Sequence, residues 1–98
     1  MKLRVTPQAR RHVEAIAEYL TERSPAASRF VGQRIRETMR LLTDFPMIGH
    51  EGALRDTREV VVPGLPYIIV HRVEPADGAI IILGVYHGAQ RRPGQEKP

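Results

Sequence analysis

Four residues in the C-terminal half of this chain carry groups that could cleave RNA without a metal: Arg58, Arg72, Tyr86 and His87. A histidine that titrates near neutral pH can take the proton of a 2′-hydroxyl and return it to the leaving oxygen. An arginine beside it would stabilise the charged phosphorane, and a tyrosine is an alternative acid. Tyr86 and His87 are neighbours in a β-type run, however, so their side chains point to opposite faces unless a bulge intervenes. Only one of them can share a pocket with Arg72. At a strand end, His87 can equally be a capping or edge residue. The other histidines, His12, His50 and His71, are scattered without metal-ligand spacing, and there is no cysteine. Neither a metal site nor a cofactor is expected. Phosphate-binding glycine loops, nucleophile elbows and His-x-x-x-His helices are missing from the sequence. Glu51 and Asp56 in a loop, and Glu59 on a strand, read as surface charges.

The elements that would position these groups can be followed along the chain. Residues 2–6 alternate and read as a first strand. Thr6-Pro7 is a helix start, a capping hydroxyl followed by a proline tolerated at the first helical position. From there Ala9, Val13, Ile16, Ala17 and Leu20 recur at helical spacing. Ser24-Pro25 repeats the start signal, and the second helix carries Ala27, Val31, Ile35, Thr38, Leu42 and Phe45 in one stripe, with Phe30 and Leu41 beside it. Pro46 ends it. So short a link makes the two helices an antiparallel hairpin. Arg29, Arg36 and Arg40 lie on the face away from the stripe. Residues 46–56 read as a loop. Three β-type runs follow at 57–62, 67–73 and 79–87, joined by turns short enough for an antiparallel meander. The last run is apolar on both faces, with Ala79, Ile81, Leu83 and Val85 on one and Ile80 and Ile82 on the other. Such a strand is usually central and at least partly covered on both sides. The expected fold is α+β in the order β-α-α-β-β-β, the hairpin burying its stripe on the sheet.

The chain has 98 residues, enough for one domain with a modest core. That domain is expected to span residues 1–90, with 91–98 a basic, flexible tail. With no signal-like or membrane-spanning run, a cytoplasmic protein is expected. The formal charge of +4 and a pI near 10.1 favour an acidic partner. All but two of the 15 basic residues are arginine, whose planar fork suits carboxylate and phosphate.

Three stretches together resemble the RelE/ParE superfamily of toxins from bacterial type II toxin–antitoxin modules. They are Phe45-Pro46 with Gly49 soon after, the strand from Pro66 to Val73, and the closing strand with a His-Gly and basic residues, Val85 to Arg92. The similarity runs from Leu3 to Pro93 and implies the same fold. It offers two activities: ribosome-dependent mRNA cleavage for RelE-like members, and poisoning of DNA gyrase for ParE-like members. Departures from the pattern favour the second. Ribonuclease members place an arginine directly after the tyrosine of the strand at 66–73, and Ile68 stands there instead. Ile68 cannot stabilise a phosphorane, and a lost contact of that kind costs about 3–4 kcal/mol of transition-state stabilisation. The loop from Pro46 to Thr57 holds no lysine of the kind some ribonuclease members use, and His71 replaces the family's second tyrosine.

The ParE-like reading makes the chain a gyrase inhibitor without catalytic residues, with plasmid stabilisation and growth inhibition as its setting. His87, Arg91 and Arg92 would be its target-binding residues. The ribonuclease alternative would use His87, Tyr86, Arg58 and Arg72 on ribosome-bound mRNA. A third alternative is an inactive relative that only binds antitoxin. Each implies a cognate antitoxin and a toxin–antitoxin hetero-oligomer. An acidic antitoxin segment would need an apolar groove with a cationic rim, which Tyr19, Leu20, Phe30 and Arg34 offer.

Overall fold

In the computed structural model, which describes residues 1–95, two helices pack on one face of a five-stranded sheet. Strand β1 (Lys2–Val5) leads into α1 (Pro7–Arg23) and α2 (Pro25–Asp44). Strands β2 (His50–Glu51), β3 (Arg58–Val61), β4 (Tyr67–Glu74) and β5 (Ala79–His87) complete the α+β fold.

Both helix starts behave as their sequences require. The Thr6 hydroxyl accepts from the Ala9 N–H at 3.1 Å and donates to the Ile82 carbonyl at 2.8 Å, so one side chain caps α1 and ties it to β5. Ser24 ends α1 and starts α2, its hydroxyl accepting from Ala27 N–H at 3.2 Å. The helical stripes then meet the sheet. Val31, Ile35, Met39 and Leu42 of α2 and Ala9 of α1 join Val60, Val62, Tyr67, Ile69, Ile80, Ile82 and Val85 in one core. Phe45 departs from the expected stripe, and Phe30 lies beside it as expected. Both are more than half exposed.

Strand order is β1-β5-β4-β3-β2. The expected antiparallel meander is β3-β4-β5, and β5 is interior as its double apolar face required. Two features correct the sequence reading. Strand β1 pairs parallel to β5, Lys2 opposite Ala79, so the sheet is mixed. The stretch 46–56 is also not all loop, since His50–Glu51 pairs with β3.

A register shift at Val70/His71 leaves Leu83 as an extra residue in β5. The bulge moves Val85 onto the face of Ile80 and Ile82, where all three are buried, and away from Ala79 and Ile81. The face opposite the helices then holds Glu59, Val70 and Gly84 side by side, and these are buried too. What covers them is the end of β5 and the chain that follows it. Tyr86 folds back over Gly84, where an added Cβ would come within 2.6 Å of the ring.

Candidate functional site

The four residues considered for RNA cleavage divide between the two ends of the sheet. His87 pairs with Tyr67 at the start of β4, and its ring meets the Tyr67 ring edge-on at 5.7 Å. Arg72 lies near the other end of β4, five residues on, or roughly 17 Å away at strand rise. Arg58 is on β3 opposite His71, at Arg72's end. The bulge lies upstream of Tyr86, so Tyr86 and His87 still alternate. Tyr86 turns to the edge of β5, where its ring packs on His12 at 4.8 Å and its hydroxyl accepts from Gln8 Nε2 at 3.2 Å. The four side chains do not converge on one cleft.

Arg58 and Arg72 instead line an open cleft of about 700 Å³ with Arg55, Thr57, Glu51, Asp56 and Glu74. Three carboxylates match its three arginines, and Arg72 Nε is already paired with Glu74 at 2.8 Å. Arg58 Nη2 donates to the carbonyls of Met47 and Gly49 at 2.8 and 3.1 Å, bracing the loop after α2. Ile68 pairs with Tyr86 and Val61, away from this cleft. The arginines here hold backbone and carboxylates.

Among the residues expected to meet a target, Arg91 is exposed and Arg92 is not free. Arg92 Nε donates to Glu59 Oε1 at 2.9 Å, with side chains 13% and 3% exposed. Glu59 is therefore no surface charge, which corrects the sequence reading. Its partner lies 33 positions along the chain, beyond the reach of any local pattern. Within residues 91–95, Arg92 N–H donates to Gln95 Oε1 at 2.9 Å and Gln95 N–H to the Arg92 carbonyl at 3.0 Å. Residues 96–98, the end of the expected tail, lie outside the described residues. His87 is exposed, and its Nδ1 accepts from Ala89 N–H at 3.1 Å, which places the neutral ring's proton on Nε2.

The residues expected to meet an antitoxin lie on the hairpin. Tyr19 and Phe30 are exposed at 57% and 54%, although such residues are more often core or boundary. Each lies under a guanidinium, Arg23 at 3.6 Å from the Tyr19 ring and Arg34 at 5.7 Å from Phe30. Arg34 also donates to the Pro63 carbonyl at 2.9 Å, and Leu20 packs against the core. Burial and then the neighbouring Tyr19 phenol raise the Tyr67 phenol above its usual range. Aromatic faces with arginine rims are thus present at this site.

Two histidines outside these sites are structural. His71 is fully buried, its Nε2–H donating to the Pro46 carbonyl at 3.0 Å while Nδ1 has no partner. Desolvation lowers its pKa and Arg58 adds to that, against the raising effect of the Pro46 bond. His12 Nδ1 accepts from the Val85 N–H at 3.1 Å, filling a gap in the β5 edge past the end of β1. Burial and then Arg11 lower its pKa. Among the described residues no group of three or more His, Cys, Asp or Glu is placed to hold a metal, and no helix is long and apolar enough to cross a membrane.

This helical hairpin on a mixed sheet is a fold shared with solved chains of toxin–antitoxin systems. The family model described as the ParE toxin of the type II toxin–antitoxin system, parDE, matches residues 3–92, and the chain belongs to that family. It is 33% identical over 92 residues to the Sinorhizobium fredii protein "Putative toxin Y4kP", covering 94% of this chain and 93% of that one. Among solved structures it resembles a chain of the chromosomal ParDE system of P. aeruginosa, with TM-score 0.77, 22% identity and 89% and 95% of the two chains covered. It also resembles a chain of the RelBE2 toxin–antitoxin complex of Mycobacterium tuberculosis, with TM-score 0.62, 20% identity and 91% and 92% covered.

Proposed function

We propose that this chain is a toxin that inhibits DNA gyrase by docking, without chemistry of its own, and that a cognate antitoxin neutralises it in a cytoplasmic toxin–antitoxin complex. The observation that carries the reading is the separation of Tyr86 and His87 from Arg58 and Arg72 along β4 and β5. Metal-free RNA cleavage needs an acid, a base and a phosphate-stabilising cation within hydrogen-bond reach of one substrate bond. Here both cations lie at the far end of the sheet, Arg72 paired with Glu74 and Arg58 on backbone carbonyls, and Ile68 stands where a cation would serve the near end. Docking requires less. The exposed His87 and Arg91, and Arg92 once released, offer donors to an acidic surface. The antitoxin would cover Tyr19, Leu20, Phe30 and Arg34, and membership of a family defined by toxin–antitoxin modules supports such a partner.

The test is expression of the chain without antitoxin, followed by parallel assays of the purified protein for gyrase supercoiling with trapped DNA cleavage and for mRNA cleavage on programmed ribosomes. Gyrase inhibition with intact mRNA is expected. Ribosome-dependent cuts would replace this reading with the ribonuclease one. Inactivity in both assays, with antitoxin binding retained, would leave an inactive antitoxin-binding relative.

A further inference from the structure

The C-terminal segment after β5 is folded back across the sheet. Gly88 N–H donates to the Pro66 carbonyl at 2.7 Å, Gln90 N–H to the His87 carbonyl at 2.9 Å, and His87 N–H to Gln90 Oε1 at 2.6 Å. These bonds reverse the chain. Arg92 then reaches Glu59 in the buried row Glu59–Val70–Gly84. Beyond it, Gly94 presses on the Ala53–Leu54 backbone so closely that a Cβ there would overlap Leu54 N, and its φ of +87° also suits glycine. His50 Nε2 lies 3.4 Å from the same Glu59 oxygen.

A carboxylate this buried is costly without its partner, so Arg92 cannot leave Glu59 freely. Yet Arg92 is one of the cations that the docking reading assigns to the target. We infer that Glu59 is a positioning residue that stands in for the target's acidic group, holding residues 88–95 as a closed strap and keeping Arg92 unavailable until a competing phosphate or carboxylate displaces it. The docking half of this inference rests on the proposed function; the strap itself does not. The same contacts join the C-terminal segment to the 52–57 loop, so opening one end loosens the other.

Arginine labelling tests it on the full chain. Phenylglyoxal adducts at Arg91 and Arg92 are followed by mass spectrometry in the wild type, in Glu59→Gln and in Gly94→Val, with thermal melts to verify folding. In the wild type, Arg92 should react about 10-fold more slowly than Arg91. Glu59→Gln keeps the side-chain shape but removes the charge that strengthens the bond, and Arg92 should approach the Arg91 rate. Gly94→Val opens the strap from its other end with Glu59 intact, and should do the same if Glu59→Gln fails to fold. Equal rates at the two arginines in the wild type, or a still-protected Arg92 in the folded variants, would overturn the strap. The same proteins then enter the gyrase assay, where the opened variants should inhibit at several-fold lower concentration. An opened strap with unchanged or weaker inhibition would overturn the stand-in role. Labelling as expected, with gyrase left untouched by the wild type and by the opened variants alike, would refute the docking half and the proposed function together, with the strap intact.

Discussion

His71 and His12 are held in forms that a second ring proton would break. Protonated His71 would place a donor at the buried, partnerless Nδ1, and protonated His12 would lose the bond from Val85 N–H. Both pKa values fall below the ordinary 6.5 in the folded chain. Above about pH 6.5 both rings are neutral whether the chain is folded or not, and their contribution is fully present. As pH drops below that value the unfolded chain takes up protons that the folded chain resists. Stability then falls by at most about 1.4 kcal/mol per pH unit for each group, until the folded values are passed. Urea midpoints should be level from pH 8 to 7 and decline below 6.5. His12→Asn and His71→Gln, which keep an acceptor or a donor near the critical nitrogen without a titrating ring, should each flatten the decline. An acid slope unchanged in both variants would place it on other groups. These two histidines illustrate what sequence reading misses, since neither has a motif. His71 was legible as a departure from the family's tyrosine, but its bond to Pro46 depends on where α2 stops.

At the scale of elements, the two caps are unequal. Ser24 supplies one capping bond, whereas Thr6 also donates to Ile82. Ser24→Ala should cost about 1 kcal/mol and Thr6→Ala about 2 kcal/mol, read from urea unfolding. A larger loss at Ser24 would mean that the interhelical corner, and not α1's tie to β5, limits stability. Truncating the fully buried Leu42 to Ala should cost about 2–5 kcal/mol. Phe45→Ala, just past the end of α2 and exposed, should cost under about 1 kcal/mol. Helices were the most legible part because Thr-Pro and Ser-Pro mark their starts and the stripe has a 3.6 period. The period does not say which end of a stripe stays covered, and Phe45, the last residue of the expected stripe, is exposed. The bulge at Leu83 is hidden for a similar reason: a run apolar on both faces looks the same in either register. An alternating four-residue run at β1 reveals which faces it has, and not which strand lies beside it.

For the whole molecule, the exposed aromatics carry the prediction. Tyr19→Ala with Phe30→Ala should leave the melting temperature nearly unchanged and weaken antitoxin binding at least 10-fold, measured by titration calorimetry. Tight binding by the double variant would move the antitoxin interface elsewhere. That Arg58 and Arg72 line one cleft follows from their neighbouring strands. Their distance from His87 does not, because it depends on which end of β4 each occupies. The parallel pairing of β1 with β5 has a consequence for how the toxin comes into being. Lys2 meets Ala79 across nearly the whole length of the chain, while the helical hairpin and the β3-β4-β5 meander close locally. Contacts so distant in sequence form late and slowly. During synthesis the hairpin can fold as it emerges, but its apolar stripe stays without a sheet until the final strand leaves the ribosome. The nascent chain therefore carries a finished helical surface, and no finished toxin, from the end of α2 to the end of β5.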